Sequence, residues 1–148
     1  MNNHSNKPYK FFVGKRKEAV ARLRLYTESR ENLMLDGEAL KKGDMVVNNK
    51  RIENYFSGIV SKAVFEEPFK ITNTLGSFIL TAKVEGGGPK SQLEAFVHAV
   101  SRALSELDDK NRQILKKKGF LTRDSRVRER RKVGMGGKSR RQKQSPKR

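Results

Sequence analysis

The sequence predicts an α+β body followed by an extended basic arm, on three observations. Apolar and polar residues alternate with the period of a strand over 19–26 and again over 77–84. One later stretch, 91–107, carries the 3.6-residue period of an amphipathic helix. Charge is also segregated. Lys110 to Arg148 holds 17 Lys and Arg against two acids, Asp124 and Glu129, whereas the preceding residues hold 17 against 14, so the net charge of +18 divides into +15 and +3. A segment of that composition buries too little apolar surface to offset the entropy of ordering itself. A phosphate backbone is the partner that rewards dense Lys and Arg most, because each neutralised phosphate releases condensed counterions.

The elements follow in order. Residues 1–8 are polar, end in Pro8 and read as a frayed tail. Tyr9–Val13 is an aromatic-rich run suited to a strand, and Gly14-Lys15-Arg16-Lys17 reads as a basic turn. In the next strand, Ala21, Leu23 and Leu25 point one way and Arg22 and Arg24 the other. Over 27–50 the pattern predicts strand, loop and short strand, with an apolar run at Leu33–Leu35 and breaks at Asp36-Gly37 and Lys42-Gly43-Asp44. Ile52, Tyr55, Phe56 and Ile59 have helical spacing interrupted at Ser57-Gly58, which predicts two short helices ending before Pro68. Phe78, Leu80, Ala82 and Val84 mark a strand that runs into Gly86-Gly87-Gly88.

Ser91 and Glu94 then have the spacing of a capping box. At 100° per residue, Phe96, Val97, Val100, Leu104 and Leu107 fall within about 60° of Leu93, with His98 and Arg102 on the polar side. Asn111–Lys118 predicts a short basic helix stopped by Gly119. The chain therefore divides into a tail at 1–8, a body at 9–118 and an arm at 119–148.

The composition excludes much. A length of 148 residues fits one domain plus an extension. No cysteine is present, which removes disulfides and thiolate chemistry, and His4 and His98 have no partner at metal-ligand spacing. No apolar run approaches the roughly 20 residues of a membrane helix. The expectation is a cytoplasmic protein with no metal, cofactor, membrane or small-molecule substrate. Nor is there a serine with a histidine beside it or a carboxylate pair in an apolar setting, so nothing supports an enzyme. The rival classes are an architectural DNA-binding protein, which would share the charge, and a phosphotransferase, which would need a nucleotide site.

Three groups of residues are candidates for contact with a polynucleotide. Lys15, Arg16, Lys17, Arg22 and Arg24 form one cationic face if the turn and its strand lie side by side; a merely solvated face is the alternative. Gly87, Gly88 and Lys90 stand between a strand and a helix, the setting in which backbone N–H groups cradle phosphate. The spacing of a triphosphate loop is absent, however, and a tight turn accounts for the glycines equally well. In the arm, Arg123, Arg126, Arg128, Arg130, Arg131 and Lys132 share no single helical or strand face, as suits an extended segment threading through a folded nucleic acid, and Lys138, Arg140, Arg141 and Lys143 are further candidates; a disordered tail with nonspecific affinity is the alternative. Gly134, Gly136 and Gly137 would keep the arm pliable.

Taken together, these segments resemble the universal S-nine family of small-subunit ribosomal proteins. Gly14-Lys15-Arg16-Lys17-Glu18-Ala19-Val20-Ala21-Arg22 is similar to the family's N-terminal motif, and Val47-Asn48-Asn49-Lys50-Arg51-Ile52-Glu53-Asn54-Tyr55-Phe56 to its next. More specific are Gly86-Gly87-Gly88-Pro89-Lys90-Ser91-Gln92-Leu93-Glu94-Ala95, continuing to Ser101-Arg102-Ala103-Leu104, and Gly119-Phe120-Leu121-Thr122-Arg123-Asp124 followed by Glu129–Lys132. The resemblance implies a mixed sheet with helices packed on one face and a left-handed crossover. It implies ribosomal RNA in the head of the small subunit as the partner, with neighbouring head proteins. It also implies an arm that reaches the peptidyl-site transfer RNA, a role that falls on Arg148 and Lys147. Two features depart from the family pattern. Thr27–Val46 is longer than the usual connection, which predicts an inserted loop, and Pro146 stands before Lys147, where its ring restricts the backbone.

Overall fold

The structure is a computed structural model, and it describes residues 9–27, 34–35, 38–130 and 132–133. Among the described residues seven strands occur in the order β1 (Lys10–Arg16), β2 (Ala19–Tyr26), β3 (Met34–Leu35), β4 (Glu38–Ala39), β5 (Met45–Val47), β6 (Lys50–Arg51) and β7 (Ile79–Glu85). Helices α1 (Ile52–Tyr55) and α2 (Ile59–Ile71) precede β7, and α3 (Pro89–Leu107) and α4 (Asp109–Lys117) follow it. Five strands form a mixed sheet in the order β1-β2-β7-β5-β6, antiparallel except where β5 runs parallel to β7; β3 and β4 form a separate ribbon.

Alternation within the strands decides what each face of the sheet meets. Phe12, Leu23, Leu25, Leu80, Ala82, Val84 and Val47 point to one side, where Phe56, Phe65, Phe69, Phe96, Leu104 and Leu115 from the helices complete the core. Phe65 and Phe96 are fully buried, and truncating either to Ala would cost about 3–5 kcal/mol. The other side is covered only in part. There Tyr26, Val46, Ile79 and Leu40 make a second, small apolar cluster with Tyr9 against it.

Four expectations change. Gly14 is not in a turn: β1 continues through Gly14-Lys15-Arg16, and the turn is Lys17-Glu18, with Lys17 at φ 50°. The glycine serves close approach instead, since a Cβ there would overlap the Ala95 carbonyl oxygen of α3. Second, α2 does not end before Pro68 but runs through it to Ile71. Pro68 lies in the last turns, and the Thr72 hydroxyl and N–H both donate to its carbonyl, at 2.9 and 3.2 Å. Third, Ser91 is inside α3 rather than capping it. The N-cap is Gly88 with Pro89 as the first helical residue, and Glu94 is engaged elsewhere.

The fourth change concerns 27–50, whose described residues supply four short strands instead of two, the last reaching Arg51; the expected Asp36-Gly37 turn and residues 28–33 lie outside the described residues. Asn48 and Asn49, at φ 48° and 60°, join β5 to β6 by a two-residue turn whose left-handed central residues match the twist of the strands. The basic helix expected at Asn111–Lys118 is α4, which begins two residues earlier on an Asp108 cap. It ends before Gly119 at φ +81°.

Candidate nucleic-acid interface

The register places the predicted cations row by row. On the side of the sheet away from the helices, Phe11, Arg24 and Thr81 stand side by side, then Val13, Arg22 and Lys83, then Lys15, Val20 and Glu85. Lys15, Arg22 and Arg24 therefore share one exposed face, joined by Lys83, which the sequence reading missed although it alternates with Ala82 and Val84 in the same strand pattern. Arg22 and Lys83 both bind Glu85, at 2.6 and 2.9 Å, and the two cations hold that carboxyl below its usual range. The Arg24 guanidinium lies 5.1 Å from the Tyr9 ring centroid. Lys17 is exposed at the turn.

Arg16 is the correction. One position further along β1, it faces the helices, so the five cations do not form a continuous face. Its side chain is only 12% exposed. Nε donates to Glu94 Oε2 at 2.7 Å, Nη2 lies 3.0 Å from Asp124 Oδ2, and Nη1 donates to the Arg126 carbonyl at 2.7 Å. The Arg126 side chain closes onto Asp124 from outside at 2.7 Å, and its N–H donates to the same carboxylate at 2.9 Å. Bonds from Arg126, with the Arg16 charge adding to them, hold the Asp124 carboxyl far below the usual carboxylate range. The first motif of the chain is thus bolted to the arm at Asp124 and Arg126.

The docking is apolar as well. Phe120 and Leu121 pack against the core, and the Phe120 N–H donates to Leu115 O at 3.0 Å, which carries the body's packing beyond residue 118. His98 is not a plain surface residue. It is half-buried on α3, with Nδ1 lacking a hydrogen-bond partner. Burial, then Arg102 and, less strongly, Arg123, push the imidazole below its usual value, against the backbone of Leu121, which favours the proton.

Past Arg126 the described residues form no helix or strand. Arg128, Arg130 and Lys132 are exposed, as is Arg123 before them, and Arg126 keeps 86% of its side-chain surface open despite its pairing. Arg131, Lys138, Arg140, Arg141, Lys143, Lys147 and Arg148 lie outside the described residues, as do residues 1–8, Gly134, Gly136, Gly137 and Pro146.

The glycine triplet divides by role. Gly86 and Gly87, at φ +74° and +61°, make the tight turn, and a Cβ on Gly87 would come within 3.2 Å of Ala19. Gly88 and Lys90 face open space at the start of α3. Behind them runs a polar chain. Asn48 pairs with the Val84 backbone in both directions at 2.9 Å and donates to the Tyr55 hydroxyl, which donates to Gln92; Gln92 in turn donates to Gly86 O at 3.0 Å. Those residues come from two of the quoted motifs, and their observed work is to hold the body together. Among the described residues no cluster of side chains could hold a metal ion, and no helix is long and apolar enough to cross a membrane.

Comparison with known proteins agrees with this arrangement of motifs. Residues 14–148 match the family described as ribosomal protein S9/S16. The chain is 39% identical over 132 residues to the small ribosomal subunit protein uS9 of Maridesulfovibrio salexigens, covering 89% of this chain and 92% of that one. It is 40% identical over 124 residues to the proteins of the same name from Leifsonia xyli and an Arthrobacter species, covering 83% of this chain and 66% of each of theirs. The chain therefore belongs to the S9 family of ribosomal proteins, structural and non-enzymatic constituents of the small ribosomal subunit.

Proposed function

We propose that this protein binds ribosomal RNA in the head of the small subunit and extends its C-terminal arm to the transfer RNA in the peptidyl site. The body docks by shape and phosphate contact, because the major groove of A-form RNA is too deep and narrow for side chains to read bases. Lys15, Lys17, Arg22, Arg24 and Lys90, with the backbone at Gly87 and Gly88, take phosphates on the body. In the arm Arg123, Arg126, Arg128, Arg130, Arg131, Lys132, Lys138, Arg140, Arg141 and Lys143 do so, while Lys147 and Arg148 approach the transfer RNA. Arg16 is left out, since each of its three nitrogens already has a partner within the described residues and its side chain is only 12% exposed. Neighbouring proteins of the head complete the surroundings, and the site of action is the cytoplasmic ribosome.

The observation that supports this reading is the change at Arg126, which still pairs with Asp124, whereas the cations described beyond it stand in solvent. Sedimentation of lysate through a sucrose gradient tests the assignment, and the chain is expected with free small subunits and with whole ribosomes. Migration with chromosomal DNA would favour the architectural alternative. Deleting Lys147 and Arg148 is expected to leave subunit assembly intact and to weaken transfer-RNA retention in a filter-binding assay; unchanged retention rejects the terminal role.

A further inference from the structure

The sheet face away from the helices is divided in two. Leu40, which follows the β3–β4 ribbon, covers Val46, Ile79 and Tyr26 and buries one end. From that cluster an open groove of about 900 Å³, with Tyr26, Leu40 and Val46 among its lining, extends over the rest of the face. Met34 on that ribbon also lines the groove, with 63% of its surface exposed. Arg22, Arg24 and Lys83 form the floor, and the Phe11 ring stands beside Arg24, 52% exposed.

An aromatic ring, a thioether and three cations in one open groove suit a ligand that alternates flat apolar groups with anions. We propose that this groove takes a single-stranded segment of RNA, one base stacked on Phe11 and adjacent phosphates on Arg22, Arg24 and Lys83. Base stacking on an aromatic side chain is sequence-tolerant, because every base has a π-face, and it requires bases that are not already paired and stacked in a duplex. The Glu85 carboxylate does not cancel the site. It takes one donor of Arg22 and one of Lys83 and fixes both side chains over the floor, while the fork of Arg22 retains N–H groups for a phosphate. Arg24, held against Tyr9 by a cation–π contact, meets no carboxylate across its row, where its neighbours are Phe11 and Thr81. The proposal rests on the RNA-binding reading above and adds the form of RNA and its place on the body.

The test uses the full chain with a single-stranded oligoribonucleotide carrying 4-thiouridine and, separately, with an RNA duplex of equal length. Cross-links mapped by mass spectrometry are expected on peptides from β1, β2 and β7 as well as on the arm. Phe11→Ala is expected to weaken single-strand binding by roughly five-fold or more, to leave duplex binding unchanged and to leave the salt slope unchanged, since Phe11 carries no charge. Phe11→Tyr should restore the affinity. Because Phe11 is half-exposed, thermal unfolding checks that the variants fold, and the cross-linking map of the unaltered chain tests the groove independently of them. Cross-links confined to residues 119–148, or equal losses on both RNAs in Phe11→Ala, overturn the groove and leave RNA binding through the arm standing. An acidic peptide that binds with the same Phe11 dependence overturns the assignment to RNA. Binding to neither RNA overturns the broader reading along with it.

Discussion

Lys15 and Arg16 are consecutive residues of one basic motif, yet they belong to opposite sides of the sheet. Lys15 stands in solvent beside Val20 and Glu85, in the row next to Arg22 and Lys83. Arg16, turned by the pleat towards α3, joins Glu94, Asp124 and the Arg126 carbonyl. A cation already holding two carboxylates gains little by exchanging them for phosphates, whereas an unpaired exposed one releases counterions when it binds. Sequence charge thus separates into cations that build the body and cations left exposed on the outer face, and the period of the strand does the sorting.

That contrast can be broken at several points. The largest effect is expected at Gly14, on the helix side of β1. Gly14→Val forces β1 and α3 apart at Ala95, so a loss of about 3 kcal/mol or more is expected in denaturant unfolding, against less than about 1 kcal/mol for Val13→Ala on the opposite face. Next come the two neighbours. Arg16→Ala should cost about 1–3 kcal/mol by removing charged hydrogen bonds at a nearly buried site, and it should expose the chain after Leu121 to trypsin. Lys15→Ala should change stability by less than about 0.5 kcal/mol while reducing the salt slope of RNA binding by about one phosphate's worth, roughly 0.7–0.9. Equal stability losses for the two would erase the distinction.

A smaller effect is expected from pH. Asp124 has its folded-state pKa depressed, so its contribution to stability is present above its unfolded value and is lost as pH falls through the folded one. The clamp should therefore be unchanged from neutral pH to about 4, the ordinary carboxylate value. Titration of the Asp124 carboxyl carbon by NMR checks this, and a midpoint near the ordinary value would mean that the clamp is open in solution. The smallest effect belongs to His98. Its folded-state value is lowered by burial, so the unfolded chain takes up the proton first, and stability declines as pH falls through the ordinary imidazole value of 6.5. A ring titration midpoint below that value is expected, and one above it would contradict the half-buried position.

Most of the body was legible because period and position are local. The alternation of Ala21, Leu23 and Leu25 against Arg22 and Arg24 put the right side chains on the right faces, and the stripe from Leu93 to Leu107 identified α3. Gly14 misled because the reason for a glycine there is a helix 81 residues away in the chain, where Ala95 approaches. Tertiary partners were equally invisible for Ser91 and Glu94: their spacing fits a capping box, but Glu94 is taken by Arg16. Pro68 was read as a stop because its ring disfavours a helix interior, yet near the helix end only one backbone bond is forgone and burial of Pro68 and Phe69 offsets it. Of the interface, Arg22 and Arg24 were legible from alternation, whereas Lys15 reads as part of a turn and only the continuation of β1 sets it on their face. Asn48, Tyr55 and Gln92 were visible only as motif letters, and their shared network required the fold to bring 48, 55 and 92 together.

The account as a whole depends on the arm beyond the clamp neutralising most of the phosphates. Residues 127–148 hold ten Lys and Arg against one acid, Glu129. The most direct measurement is the salt dependence of affinity for small-subunit ribosomal RNA, made on the full chain and on a chain ending at Arg126, which keeps the Arg16–Asp124 pair. A slope smaller in magnitude by several units is expected for the shortened chain, at roughly 0.7–0.9 for each phosphate it no longer neutralises. Identical slopes for the two chains would contradict the account.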